Sequence, residues 1–234
     1  MAIQHICFDL DGTLVNSVPE ICRAVADTCA RFKIPLPSHE IFYSIFLRLF
    51  DSPPIQYFRS LGYKGSPEEL DKEYSQHIEK YYHSVRPFEG TQEALLSLKL
   101  LGITLSILTA NRHEDIPAFL NRYQLNSYFS EIILSDFDKT KMLQEHVRSL
   151  HIPPQQIMYI GDLCSDMRAA KEAEIIGVGH VGIVEEKYRE GNFFRAGADY
   201  CISGLAELAP LVKALRDRKA TAASKNIIQA CTGC

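Results

Sequence analysis

The stretch FDLDGTLVNS, residues 8–17, sets Asp9 and Asp11 on either side of one leucine. It follows the apolar run Ile3, Ile6, Cys7 and Phe8, and Gly12 and Thr13 come next. Residues 3–8 read as a buried strand. Carboxylates do not finish a buried strand for stability, because burying an unpartnered charge costs free energy. Strand side chains alternate between faces, so Asp9 at the carboxyl end points into the opening beyond the strand. Gly12 lets the backbone turn and bring Asp11 back to the same opening. One aspartate there would read as a cap or turn former. Two of them, with Gly and Thr after, call for chemistry.

Further strands are predicted at Ile103–Leu108, Glu131–Ser135, Ile157–Ile160, Ile175–Val181 and Asp199–Ile202. Helical patterns lie between them: one ending near Gly102, then Glu114–Tyr123, Lys141–Leu150 and Ser165–Ala173. Apolar strands alternating with helices argue for an α/β fold, a parallel sheet covered by helices on both faces. Such sheets bind ligands beyond the carboxyl ends of their strands. The first two strands are separated by a block with only helical patterns: Val18–Phe32, His39–Phe50, Pro54–Leu61 and Pro67–His83, punctuated by Pro35, Pro37, Pro53 and Pro67. It reads as an inserted all-helical cap over the strand ends. The expected division is a core of residues 1–15 and 87–220, a cap of 16–86, and a frayed tail of 221–234.

Bulk composition narrows the function classes. The 234 residues are 46% hydrophobic and 23% charged, ordinary for a globular chain with a sizeable core. A formal charge of -4 lacks the basic footprint of a nucleic-acid binder. The basic run Arg216–Lys219 reads as the end of a solvated helix, where cations suit the dipole. No apolar stretch approaches the roughly 20 residues of a membrane helix, and no signal peptide is read at the start. The seven cysteines are scattered. Cys22 and Cys29 lie about 10 Å apart along one helix, too far to bridge. A reducing, cytoplasmic setting is expected. The terminal CTGC reads as a loose end rather than a redox pair or a lipidation site. Oligomeric state is left open.

The other strand ends supply matching parts. SILTAN, residues 106–111, ends its strand on Thr109, Ala110 and Asn111. MYIGDLCSD, residues 158–166, ends on Gly161 and Asp162, with Asp166 four residues on. Lys139 stands in DKTKML, residues 138–143, at a helix start. Four acids, a hydroxyl and a lysine therefore converge. Four carboxylates at one point repel unless a cation neutralises them. Oxygen-only ligands suit Mg2+, which also binds substrate phosphate. The hydroxyl, the ammonium and backbone N–H groups at helix starts suit a phosphoryl group.

These four motifs, in the chain order Asp9-x-Asp11-Gly-Thr13, Thr109, Lys139 and Gly161-Asp162-x-x-x-Asp166, resemble the haloacid dehalogenase superfamily, in its phosphatase branch with an inserted helical cap on a Rossmann-like core. The resemblance covers the chain to about Ala214, and the wording DGTLVNSVPEI, residues 11–21, is similar to that of phosphoglycolate phosphatases. It implies that Asp9 is a nucleophile forming an aspartyl-phosphate. Asp11 is then the general acid, and later the base for water. It implies Mg2+ held by the Asp9 carboxylate, the Asp11 carbonyl and Asp162, with Asp166 bound directly or through water. Thr109 and Lys139 would hold the transferring group, with amides of Leu10 and Ala110 adding donors and Asn111 beside them. Lys141 is the alternative to Lys139, which opens the K-x-x-x-L pattern that the family shows. The chain departs from the phosphoglycolate wording in three places, one being a shorter segment between Thr109 and Lys139. Thr140 follows Lys139 where proline is usual, and Ala110 stands between Thr109 and Asn111.

The expected activity is Mg2+-dependent hydrolysis of a small phosphorylated metabolite. Asp11 separates this from halide-releasing members of the fold, because an alkoxide leaving group needs a proton donor and a halide does not. A sugar-phosphate mutase with the same two aspartates is the alternative, and a non-catalytic phosphate binder comes third. Substrate choice is assigned to the cap. Arg23, His39, Arg48 and Arg59 are candidate contacts there, foremost Arg48 in FLRLF, since an arginine within an apolar helix needs a partner. Cys164 borders the site without a required role. His5 and the other histidines show no metal-ligand spacing and read as packing or surface residues.

Overall fold

The computed structural model describes residues 2–36, 38, 53–110, 116–134, 139–182 and 192–217. Six strands form one sheet: β1 (His5–Phe8), β2 (Thr104–Thr109), β3 (Glu131–Leu134), β4 (Ile157–Gly161), β5 (Ile176–His180) and β6 (Tyr200–Ile202). Their order is β3-β2-β1-β4-β5-β6, and each neighbouring pair is parallel. The order reverses between β1 and β4, the kind of switch point at which doubly wound sheets bind ligands.

The described helices are α1 (Val18–Arg31), α2 (Pro54–Ser60), α3 (Pro67–Tyr82), α4 (Thr91–Leu100), α5 (Ile116–Arg122), α6 (Lys139–Ser149), α7 (Cys164–Glu172), α8 (Asn192–Ala196) and α9 (Leu208–Asp217). The chain divides into two compact units, Met1–Leu14 with Pro87–Cys234, and Val15–Arg86. The first carries the sheet. One of its faces packs Cys7, Leu108 and Tyr159 against Leu143 and Val147 of α6 and Ala169 and Ala170 of α7. The inner strands β1, β2, β4 and β5 are largely buried because helices cover them, which is why they read as continuous apolar runs.

The described elements of the second unit are α1, α2 and α3. Ser66 caps α3 by accepting from the Glu69 amide at 3.2 Å, with Pro67 in the first turn where its missing N–H costs nothing. Asp27 of α1 accepts from Lys80 Nζ at 2.9 Å and from Tyr81 Oη at 2.7 Å. Thr28 Oγ1 lies 2.9 Å from His77 Nδ1. The helix predicted at His39–Phe50 lies outside the described residues.

Several element bounds shift by a residue or two, and the helix read from Lys141 starts at Lys139. The first strand starts at His5 rather than Ile3, although Ile3 is buried. Arg216 does not simply face water. Its Nη2 donates to Leu101 O at 2.8 Å and to Ile3 O at 3.4 Å, tying α9 to the entry of β1. No helix among the described residues is long and apolar enough to cross a membrane.

Candidate active site

Asp9 is the first residue past β1, and Asp162 is the first past β4. These strands are hydrogen-bonded neighbours, and the Asp9 amide donates to Ile160 O at 2.8 Å, so the two carboxylates leave the sheet side by side. Asp166, in the first turn of α7, returns its carboxylate to the same point. One oxygen from each of Asp9, Asp162 and Asp166 lies within 4.8 Å of the other two, and all three side chains are buried.

Lys139 enters from the first residue of α6. Its Nζ donates to Asp9 Oδ1 at 3.1 Å and to Asp166 Oδ1 at 2.9 Å, and the side chain is buried. Lys141 is exposed. Two residues of helix separate them by about 200°, so only one of the pair can face the sheet. Asp166 is fixed further: Tyr159 Oη donates to its Oδ1 at 3.3 Å, and the Leu163 amide donates to its Oδ2 at 3.0 Å. A carboxylate receiving these donors is pre-oriented before any ligand arrives.

Two glycines make the cluster possible. Gly12 has φ +76°, and a Cβ there would stand 2.3 Å from Asp162 Oδ2. A Cβ on Gly161 would stand 2.4 Å from Asp166 Cγ. Backbone thus occupies the space beside both acids. The turn carrying Asp11 closes through Thr13 N and Leu14 N, which donate to Leu10 O at 3.3 and 2.9 Å.

Thr109 is the last residue of β2 and is buried, with the half-exposed Ala110 following it. Asn111, Arg48 and His39 lie outside the described residues. Thr13 Oγ1 and Ser165 Oγ are buried with no hydrogen-bond partner among the described residues. Cys164, at the start of α7, lies between Asp162 and Asp166 in the chain and is partly exposed. Of the other residues named for substrate contact, Arg23 is paired with Glu20 at 3.2 Å. Arg59 donates to the carbonyls of Tyr63 and Gly65 at 3.3 and 2.9 Å, so its cation is spent on its own loop.

Electrostatics of the cluster favour a cation. Burial pushes the Asp9 carboxyl well above its usual range. Lys139 opposes this, while Asp166, Asp162 and Asp11 add to it. Four acids against one ammonium leave an excess of negative charge. The donors are all oxygen, as hard divalent cations require. The residues present therefore fit Mg2+.

Sequence reasoning missed three contributors. Tyr159 lies within the strand predicted at Ile157–Ile160 and donates to Asp166. His180, at the end of β5, places Nδ1 3.1 Å from Gly12 O. His5 and His146 form a buried polar pair beneath the site: Ser106 Oγ lies 2.8 Å from His5 Nε2 and 2.9 Å from His146 Nε2. Only the strand-end position of His180, level with the Asp-bearing strand ends, could have signalled a role.

Comparison with known proteins agrees with this geometry. The model of the haloacid dehalogenase-like hydrolase family matches residues 6–179. A phosphoglycolate phosphatase of Synechococcus elongatus is 31% identical over 181 residues, which are 75% of this chain and 82% of that protein. A haloacid dehalogenase-like hydrolase structure from Streptococcus pneumoniae superposes with a TM-score of 0.76 at 22% identity, over 89% of this chain and 98% of that one. A Thermotoga maritima structure described as a candidate β-phosphoglucomutase gives 0.68 at 21% identity, over 90% and 99%. The two structures speak to the fold alone; the family model spans most of the chain, including both Asp-bearing strand ends. The chain belongs to the haloacid dehalogenase-like hydrolase family.

Proposed function

We propose that this protein is a Mg2+-dependent phosphatase that hydrolyses a small phosphate monoester through an aspartyl-phosphate on Asp9. The observation that carries the reading is the buried Asp9 carboxylate, held 3.1 Å from Lys139 and within 4.8 Å of Asp162 and Asp166, with a second acid two residues on. The phosphoglycolate phosphatases among its relatives support the same class.

In the first step an Asp9 oxygen attacks phosphorus, and the bond from phosphorus to the ester oxygen breaks. The departing alkoxide takes its proton from Asp11. In the second step the Asp11 carboxylate takes a proton from water as that water attacks phosphorus. The Asp9–phosphorus link breaks, and phosphate leaves. Lys139 and Thr109 steady the equatorial oxygens of the transferring group, with amides of Leu10 and Ala110 as further donors. Asp9, Asp162, the Asp11 carbonyl and Asp166, directly or through water, would hold Mg2+. When bound there, it would offset repulsion between Asp9 and the incoming phosphate.

The first test is release of inorganic phosphate from phosphoglycolate and a panel of small esters, with and without Mg2+, beside Asp9→Asn. The reading expects metal-dependent turnover that vanishes in the variant. No release from any ester by folded protein would overturn it. Interconversion of sugar phosphates would then be assayed, since a mutase uses the same two aspartates.

A further inference from the structure

We propose that His180 is a positioning residue for Asp11: it anchors the Gly12 carbonyl and so fixes the turn that aims the general acid. The inference rests on the phosphatase reading and adds to it a residue from outside the four motifs.

Asp11 sits on the turn Leu10–Leu14, and three carbonyls of that turn are tied down. Leu10 O accepts from Thr13 N and Leu14 N within the turn itself. Leu14 O accepts from Phe88 N at 3.1 Å and Thr91 Oγ1 at 3.2 Å. Gly12 O, the carbonyl next after Asp11, faces His180 Nδ1 at 3.1 Å. A carbonyl only accepts, so Nδ1 carries the proton in this contact. Gly12 has a positive φ and lies against Asp162, a backbone that must be held from outside to stay in one orientation.

His180 is built for that task. It is buried at 2% exposure at the end of β5, and its ring packs edge-on against Phe88 with centroids 5.2 Å apart. Phe88 is also the residue whose amide holds Leu14 O. Gly182 (φ +61°) keeps the approach open, since a Cβ there would lie 3.3 Å from Gly12 O. In this contact the imidazole holds backbone rather than a motif side chain. Its effect on the reaction passes through the Gly12 peptide to Asp11.

A misaimed general acid has a distinctive kinetic signature. Loss of proton donation slows poor leaving groups and spares good ones. The experiment compares His180→Leu and His180→Asn with wild type on p-nitrophenyl phosphate and on an alkyl phosphate. Asparagine can place an N–H where Nδ1 stands, and leucine cannot. For His180→Leu, kcat/KM on the alkyl ester, which reports the steps up to departure of the alcohol and not the later hydrolysis, should fall on the order of tenfold to a hundredfold. The loss on the nitrophenyl ester should be several times smaller, and His180→Asn should restore most of the alkyl-ester rate. Equal losses on both esters, or no rescue by asparagine, would overturn the positioning role and leave a packing role. If wild type releases phosphate from neither these two nor any other ester of the panel, the phosphatase reading falls and this inference with it. Should the leucine variant not fold, the ratio of the two ester rates in His180→Asn alone decides: an unchanged ratio near wild-type rates supports the role, and parallel losses refute it.

Discussion

Lys139 Nζ stands 3.1 Å from Asp9 Oδ1 across 130 residues of sequence, and the contact is buried on both sides. Because Lys139 opens α6, this one bond docks the helix onto the end of β1. Seven residues later His146 meets His5, at the start of β1, through Ser106. Seven helical residues span about 10 Å, and the four strand steps from His5 to Asp9 about 13 Å. The helix is thus pinned to the strand at both ends, with Leu143 and Val147 in the apolar layer along its length. The site ammonium is positioned by the packing of a whole helix.

Lys139→Met tests that pin. It leaves Asp9 and Asp166 buried without their shared cation. Removing one partner of a buried pair costs about 3–5 kcal/mol. Unfolding in urea with a metal chelator present should show a loss of that order, and added Mg2+ should recover part of it. Phosphatase turnover should fall at least a hundredfold. Lys139→Arg should not rescue it, because a planar fork does not replace a point charge between two carboxylates.

Tyr159→Phe should leave the fold intact and weaken the metal site. The phenol is buried and donates to Asp166 Oδ1 at 3.3 Å. Loss of a group that orients a ligating carboxylate costs on the order of tenfold in metal affinity. The expected result is a higher Mg2+ half-saturation with near wild-type rate at saturating metal. An unchanged Mg2+ dependence would show that Lys139 and the Leu163 amide hold Asp166 unaided.

Gly161→Ala should damage the site and Gly204→Ala should not. The added methyl would stand 2.4 Å from Asp166 Cγ at Gly161, and would meet nothing within 4 Å at Gly204. Overpacking of this kind costs about 1–3 kcal/mol. Urea midpoints and phosphate release should both fall for the first variant and hold for the second.

Stability should decline in acid through His5. Burial, and then His146, push His5 down to about 4. Burial also lowers His146, against the pull of Glu131. The folded state therefore keeps the pair neutral, while the unfolded chain takes up protons below about 6.5. The contribution is fully present above that pH. It is lost as pH falls from about 6.5 to about 4, and amounts to on the order of 3 kcal/mol at most for His5. Urea midpoints across this window should slope less in His5→Gln than in wild type. Equal slopes would assign the acid loss to other groups.

The inner strands were legible because they are largely buried, and β1 and β4 stop at Asp9 and Asp162. Asp9, Asp162 and Asp166 announced themselves as charges where apolar runs stop. Lys139 was preferred to Lys141 on its wording, and the winding of α6 turns Lys139 inward while Lys141 is exposed. The polar pairs inside the core were not legible. His5, Ser106 and Tyr159 occupy single positions in strands, and their partners are set by which strand and helix become neighbours. His180 meets Gly12 across 168 residues, a separation at which local pattern carries no information.

The most direct measurement is a rapid acid quench during turnover, followed by mapping of phosphate on the protein. Transient phosphate is expected on the peptide that carries Asp9, none in Asp9→Asn, and longer-lived phosphate when Asp11 is replaced by Asn. Turnover with phosphate never found on the protein, or found on another residue, would contradict it.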